Sequence, residues 1–237
     1  MNSDKTSLGD RMKENYEKRT RILLPRRTYT LIRVDGKAFH TYTRGLTRPF
    51  DVKLVKDMDE TAAYMCQNIQ GAKFAFVQSD EISILLTDFD QLSTDAWFDG
   101  NVQKMTSVSA SLATAKFNAL RPDKIALFDS RVFTIPERTE VSNYFIWRQQ
   151  HTVRNSISSV AQSMFSHKEL ENKSSNEMQE MCFNLGINWN DFSPKLKRGR
   201  TIIKENYEKN GATRSRWVSV DSPIFTVEYD FLDFLIP

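Results

Sequence analysis

Residues 74–86 read FAFVQSDEISILL, two apolar runs separated by four polar residues. Each run is rich in β-branched and aromatic residues, which favour strands. The polar gap from Gln78 to Glu81 is short enough for a β-hairpin. This stretch therefore predicts two antiparallel strands with the carboxylates of Asp80 and Glu81 at the turn between them.

A strand and a helix are predicted upstream of that hairpin. Residues 28–34 read TYTLIRV and end at Asp35-Gly36, which indicates a strand followed by a loop. Asp51 is a suitable N-cap for the helix that follows, because apolar residues recur after it at three- and four-residue steps as far as Gly71. The order up to the hairpin is strand, helix, strand, strand.

A second helix and a fourth strand follow the hairpin. Asn101 can cap the helix, and residues 125–135 are strand-like. The sum is β-α-β-β-α-β, an α+β fold of the ferredoxin-like kind, in which the first and third strands are neighbours at the centre of the sheet. The topology therefore predicts that Asp35 lies near Asp80 and Glu81.

Converging carboxylates at strand ends suggest a metal site. Hard divalent cations such as Mg²⁺ prefer oxygen ligands. Two Mg²⁺ ions about 3.5–4 Å apart can clamp the attacking and leaving oxygens of a phosphoryl transfer. The residues alone therefore favour a phosphoryl- or nucleotidyl-transfer enzyme, with a nucleotide cyclase or a noncatalytic RNA-binding module as the alternatives.

The net charge of +3 is too small to identify a partner, but the basic residues are unevenly distributed. They concentrate in three clusters at residues 25–27, 195–200 and 214–216. A solvated surface is the commoner explanation for any one cluster. Three clusters in a chain with a metal-type site favour a polyanionic partner.

The remaining sequence sets the domain organisation. After Pro136 the chain is expected to be largely helical. Helices are expected at residues 137–149, 152–165 and 176–184, an exposed connection at 168–179, a short strand at 201–203 and an apolar tail at 224–236. We expect one catalytic domain over residues 1–237, with the sheet and its helices at 28–135 and a mainly helical part at 136–237.

Location and redox environment follow from what the sequence contains. Cys66 and Cys182 lie far apart among apolar residues, which is typical of core cysteines in a reducing compartment. No charged-then-apolar leader precedes Arg11, and no apolar run reaches the ~20 residues of a membrane span. We therefore expect a cytoplasmic protein without a membrane partner.

Three segments carry a resemblance to a known family. RVDGKAFH at residues 33–40, QSDEIS at 78–83 and YFIWRQ at 144–149 resemble, in order and spacing, the signatures of the tRNA-His guanylyltransferase family. The resemblance extends over residues 8–204. It implies a polymerase-like palm that uses two Mg²⁺ ions, ATP, GTP and other nucleoside triphosphates to add nucleotides to the 5′ end of tRNA, in the 3′-to-5′ direction. It also implies a homotetramer.

One segment departs from the eukaryotic pattern. Residues 153–159 read VRNSISS where the eukaryotic enzymes carry HINNLYN, and only Asn155 matches an asparagine of that motif. In this respect the chain resembles the bacterial and archaeal guanylyltransferase-like branch, which restores missing 5′ nucleotides by templated addition. Template-dependent repair of truncated tRNA is therefore expected, with addition of a single guanosine to tRNA-His as the alternative.

The resemblance also implies roles for individual residues. Asp35 and Asp80 would bridge the two metals, the Gly36 carbonyl would complete a coordination shell, and Glu81 would help to hold or tune the metal pair. Nucleotide contacts are expected from Lys37, Ala38, Phe39, His40, Ser79 and Lys104. Contacts with tRNA are expected from Arg26, Arg27, Arg148, Arg154, Asn155, Lys197 and Arg198. No base-reading pocket is evident in the sequence, so the opposing tRNA base is expected to select the incoming nucleotide.

Overall fold

The computed structural model describes residues 7–237. Its helices are α1 (Leu8–Asn15), α2 (Phe39–Tyr42), α3 (Val52–Asn68), α4 (Val102–Leu120), α5 (Arg138–Gln162), α6 (His167–Leu170), α7 (Ser175–Asn184), α8 (Pro194–Lys197) and α9 (Tyr229–Leu235). Its strands are β1 (Tyr29–Gly36), β2 (Ala72–Gln78), β3 (Glu81–Leu86), β4 (Phe128–Ile135), β5 (Arg200–Lys209) and β6 (Ala212–Asp221). Shorter 3₁₀ turns lie at Glu17–Thr20, Trp97–Gly100 and Trp189–Asp191.

The predicted β-α-β-β-α-β order is confirmed. The sheet has the order β4-β1-β3-β2-β5-β6, and every pair of neighbouring strands is antiparallel. Strands β1 and β3 are adjacent, so Asp35 pairs in register with Glu81. The ends of the two central strands therefore meet as the topology predicted.

Both predicted helix caps are present. The Asp51 carboxylate accepts a hydrogen bond from the Leu54 amide at 2.7 Å, and the Asn101 side chain accepts one from the Lys104 amide at 3.0 Å. These side chains satisfy amides that the first helical turn leaves unpaired. Helices α3 and α4 then cover one face of the sheet with an apolar core that includes Ile32, Val34, Met58, Met65, Ile82, Ile84 and Phe117.

The opposite face of the sheet is covered by the C-terminal part of the chain. Side chains alternate between the two faces of a strand, so Leu31, Phe74 and Leu85 point away from α3 and α4. They pack with Phe145 of α5 and Leu232 of α9. The helical part therefore contacts the central sheet directly.

Two expectations for the helical part were wrong. Residues 138–162 form one continuous 25-residue helix, whereas the sequence suggested two. No glycine or proline interrupts the segment, so the helix continues through residues 150–151. The connection expected at 168–179 contains the short helix α6, which a Ser-x-x-Glu capping box at Ser166 begins. A second such box at Ser174 begins α7, which confirms the helix expected at 176–184.

The short strand expected at 201–203 is the beginning of a long hairpin. Strand β5 pairs with β2 only at residues 200–202 and continues to Lys209, where a turn at Asn210-Gly211 leads into β6. Both turn residues have positive φ, which Asn-Gly adopts readily in a two-residue hairpin. The distal residues are largely exposed, so apolar periodicity gave no sign of them.

Cys66 and Cys182 are both buried free cysteines, as the sequence predicted. Cys66 belongs to the core between the sheet and α3, and Cys182 belongs to a smaller cluster shared by α5 and α7. Within residues 7–237, no helix combines the length and the apolar character needed to cross a membrane.

Candidate active site

Acidic residues converge where the central strands end. Asp35 at the end of β1 pairs with Glu81 of β3 and with Asp129 of β4. Residues that pair across antiparallel strands point to the same face of the sheet. Asp80 lies beside them in the two-residue turn between β2 and β3. The structure thus brings Asp35, Asp80 and Glu81 together, as predicted. It also places Asp129 beside Asp35, which was not predicted because residues 125–135 contain no acidic motif.

The environment of these carboxylates disfavours their charged forms. Burial raises the pKa of Asp35, and the charges of Glu81 and Asp129 raise it further. Burial raises the pKa of Asp80 to about 6; a hydrogen bond from Ser79 opposes the shift, and the charges of Asp35 and Glu81 add to it. A bound cation would offset this repulsion, so the site is electrostatically suited to one.

The loops that carry the two aspartates have unusual backbone geometry. Ser79 has a φ of +44° and Ala38 a φ of +54°, values that cost free energy in residues with a Cβ atom. Gly36 is required for packing, because a Cβ atom there would lie 2.1 Å from the ring of Phe39. The Lys37 amide donates to the Leu127 carbonyl at 2.8 Å. The turn after Asp35 is therefore fixed against the core.

The donor set is consistent with Mg²⁺ that arrives with a nucleotide. Within residues 7–237, no three His, Cys, Asp or Glu side chains form a ready-made metal cage. Mg²⁺ commonly takes one or two protein carboxylates and completes its shell with waters and substrate phosphates. The carboxylates of Asp35 and Asp80, with the adjacent Gly36 carbonyl as a further candidate, meet that requirement.

Glu81 and Arg148 are placed differently from the expectation. The Arg148 guanidinium donates to both carboxylate oxygens of Glu81, at 2.8 and 2.5 Å, and both residues are buried. The oxygens of Glu81 are thus engaged inside the protein. Arg148 faces the interior, so it is not in the exposed position that was expected of it.

A cleft of about 240 Å³ opens beside the Ser79-Asp80 turn. It lies between residues 43–51 on one side and α5 on the other, with Ser79 at its edge. Its polar lining includes Thr47, Arg48, Gln78, Asn155, Gln162 and Lys195. The sequence analysis missed this cleft because the side chains come from distant segments and form no motif. It offers hydrogen-bonding groups to a base or sugar next to Asp80.

The other predicted nucleotide contacts fall into two groups. Lys37, Ala38 and His40 are exposed in the loop and short helix that follow Asp35, while Phe39 is buried beneath them. Lys104 lies elsewhere: α4 begins where Asn101 bridges to Leu23, at the end of the molecule where β1 starts. Lys104 is therefore at the opposite end of β1 from Asp35, and its contact with phosphates stays a prediction.

Lys124, which no sequence motif indicated, contacts the segment that follows Asp35 and Gly36. Lys124 Nζ donates to the carbonyls of Thr41 and Tyr42, and it lies 4.8 Å from the centre of the Tyr42 ring. A cation at these carbonyls stabilises the C-terminal end of α2. Lys124 thus fastens the segment that follows Asp35 and Gly36.

The predicted tRNA contacts are also dispersed. Arg154 and Asn155 are exposed on α5 near the cleft, and Arg198 is partly exposed. Lys197 is buried: it donates to the Asn190 carbonyl at 2.5 Å, and burial lowers its pKa. That placement contradicts a surface role for Lys197.

Arg26 and Arg27 precede β1, at the end of the strand opposite to Asp35. Both side chains are exposed, but Arg26 is paired with Asp88 at 2.6 Å. The structure therefore does not bring these two arginines together with Arg154 and Asn155 of α5.

Comparisons with known proteins agree with this geometry. The family model described as "Thg1: tRNAHis guanylyltransferase" matches residues 9–136. A bacterial tRNA(His) guanylyltransferase (Thg1)-like protein solved with ATP is 47% identical, with a TM-score of 0.88 over 98% of this chain and 99% of its own. The same kind of protein solved with GTP gives a TM-score of 0.86 at the same identity and coverage. The tRNA(His) guanylyltransferase of Debaryomyces hansenii is 28% identical over 84% of this chain and 82% of its own length.

Proposed function

The chain belongs to the Thg1 family of tRNAHis guanylyltransferases, a family of nucleotidyltransferases, and we propose that it repairs the 5′ ends of tRNA. In this proposal it adds nucleotides in the 3′-to-5′ direction, each chosen by pairing with the opposite strand of the acceptor stem. The observation that carries the proposal is the meeting of Asp35 and Asp80 beside a cleft large enough for part of a nucleotide.

ATP, GTP and the other nucleoside triphosphates are the proposed small substrates. The 47% identical relatives solved with ATP and with GTP support this. The cleft beside Ser79 would hold the base and sugar, and the backbone amides of residues 38–40 would face the triphosphate. Asp35, Asp80 and the Gly36 carbonyl would hold two Mg²⁺ ions, which when bound neutralise charge on the attacking and leaving oxygens. The protein's own task is then to hold the reacting phosphate in line with its attacking group.

Residues 153–159 favour templated addition over the addition of a single guanosine. That segment lies on α5, and of its residues Asn155, Ser156 and Ser159 line the cleft. It matches only one asparagine of the eukaryotic motif, so this chain lacks most of that motif. A nucleotide held by pairing and stacking needs fewer base contacts from the protein than an unpaired one.

The proposed tRNA surface is centred on the exposed side of α5. Arg154 and Asn155 lie there, next to the cleft residues Arg48 and Lys195. Cations beside a polyphosphate site attract a nucleic-acid backbone without regard to its sequence. We further propose a cytoplasmic homotetramer in which residues 1–237 act as a single catalytic domain, and light scattering in solution tests the assembly.

The decisive experiment uses a tRNA that lacks its first 5′ nucleotide. With Mg²⁺, ATP and all four nucleoside triphosphates, the product is expected to grow by the nucleotide complementary to the opposing base. Changing that base should change the nucleotide added. Addition of guanosine to full-length tRNA-His regardless of the opposing base would instead support the guanylyltransferase alternative.

Two further outcomes separate the other classes of protein. Cyclic nucleotide formed from ATP or GTP without tRNA would identify a cyclase. Binding of tRNA with no Mg²⁺-dependent binding of ATP or GTP would identify a passive RNA-binding module, and either result would refute the proposal.

A further inference from the structure

A polar stripe on α5 is attached to the hairpin that carries Asp80. Tyr144, Arg148 and Thr152 follow one another at four-residue steps, so they lie on one face of the helix. Their hydrogen-bond partners are, respectively, Ser83, Glu81 and Gln78. Gln78 and Glu81 are the residues on either side of the Ser79-Asp80 turn, so α5 is hydrogen-bonded to the hairpin on both sides of Asp80.

The central contact of this stripe fixes a carboxylate in one orientation. Arg148 Nε donates to Glu81 Oε1 at 2.8 Å, and Nη2 donates to Oε2 at 2.5 Å. Gln78 donates to Oε1 at 3.0 Å from the other side of the turn. Arg148 is 5% exposed and Glu81 is 7% exposed, so water competes little for these bonds. A bidentate arginine specifies the plane of a carboxylate in a way that a lysine does not.

We propose that Arg148 is a positioning residue for nucleotide transfer: by binding Glu81 it holds Asp80 in place, and Glu81 itself does not bind a metal. This inference rests on the proposed function. Ser79 has a positive φ, so the turn is held in a conformation that it would relax from without support. A displacement of about 1 Å in a catalytic group can cost about a hundredfold in rate.

Four variants test the inference. Arg148→Lys keeps the positive charge but loses the two parallel N–H donors of the guanidinium, and Glu81→Gln removes the negative charge. The double variant Glu81→Leu/Arg148→Met replaces the buried pair with apolar side chains, which avoids leaving one charge unpaired. Arg121→Lys is the matched control, because Arg121 forms a pair with the buried Asp57 at 2.9 Å in the layer of α3 and α4.

The readouts are kcat and KM on 5′-truncated tRNA, Mn²⁺ affinity by electron paramagnetic resonance, Tm, and amide exchange at residues 79–80.

Arg148→Lys and Glu81→Gln are expected to lower kcat about 10- to 100-fold. Mn²⁺ affinity should fall by the same factor in both variants, because both displace the proposed ligand Asp80, and the KM for nucleotide should change less than kcat. The double variant should have a higher Tm than Glu81→Gln but no higher kcat. Arg121→Lys should lower Tm and leave kcat unchanged. Amide exchange at residues 79–80 should be faster in each variant that breaks the Glu81–Arg148 pair and not in the control.

Several results would overturn the inference. A Mn²⁺ affinity at least tenfold lower in Glu81→Gln than in Arg148→Lys would make Glu81 a metal ligand. Recovery of kcat together with Tm in the double variant would leave Arg148 a purely stabilising role. If the wild-type protein adds no nucleotide to any tRNA, the proposed function fails, but amide exchange and Mn²⁺ affinity still decide the positioning role. Unchanged exchange in both Arg148→Lys and the double variant would then refute it.

Discussion

Gly36→Ala is expected to destabilise the protein and to weaken nucleotide binding. The new methyl group would lie 2.1, 2.5 and 2.7 Å from three carbons of the Phe39 ring. Contacts below 3 Å are not tolerated, so the ring or the backbone must move. Phe39 is 5% exposed and packs against Tyr42, Phe117 and Phe128, so the ring has little free space to enter.

Overpacking of this kind costs about 1–3 kcal/mol of unfolding free energy. In a chain of this size, about 2–4 °C of Tm is lost per kcal/mol, so Gly36→Ala should lower Tm by about 2–12 °C. Because residue 36 connects Asp35 to the loop that we propose faces the triphosphate, the same displacement should weaken binding of ATP in the presence of Mg²⁺. Thermal denaturation and titration calorimetry measure the two effects.

Two variants sharpen the test. Gly9→Ala is the control, since a Cβ atom there meets only the Ser7 hydroxyl at 3.8 Å, and it should leave Tm and ATP binding unchanged. Adding Phe39→Leu to Gly36→Ala should recover part of the lost stability, because the smaller side chain relieves the clash. Wild-type Tm and ATP affinity in Gly36→Ala would refute the steric argument.

The remaining predictions concern the metals, the loop and the tRNA surface. Asp35→Ala and Asp80→Ala should each abolish nucleotide addition, because each removes a proposed metal ligand. Neither should lower Tm, because the surroundings of each carboxylate disfavour its charged form and raise its pKa. Near-normal turnover would contradict the proposed metal site. Lys124→Met should raise the KM for nucleoside triphosphates several-fold by freeing the end of α2, and an unchanged KM would exclude that role. Arg154→Ala should reduce the salt dependence of tRNA binding by about 0.7–0.9 log units of slope if it contacts one phosphate. Lys197→Ala should lower Tm and leave that slope unchanged, since the amine is buried.

Much of the central fold was predictable because its signals are local. Strand composition, the caps at Asp51 and Asn101, and the order of elements were enough to bring Asp35 next to Asp80. The distal half of the β5–β6 hairpin was not predictable from apolar spacing, because its side chains are exposed on both faces. Its Asn210-Gly211 dipeptide was the available signal.

The side-chain partners were harder to predict than the strands. Glu81 and Arg148 are 67 positions apart, and their pairing depends on how α5 docks on the sheet. A charged residue in a sequence does not indicate whether it faces solvent or a buried partner. The position of Lys104, in contrast, could have been predicted from the topology. Strand β3 runs away from the Ser79-Asp80 turn, so α4, which follows it, must begin at the opposite end of the sheet.

The unbroken length of α5 constrains where the chain can change in length. Its first half contacts the sheet through Tyr144 and Arg148, and its second half packs against α7 around Val160. Inserting or deleting one residue between these halves would rotate one of them by about 100° about the helix axis. The helix would then lose either its hydrogen bonds to the β2–β3 hairpin or its packing against α7. Insertions should be accommodated at the loop around Asn172, whereas a single-residue insertion near Gln150 should abolish folding or activity.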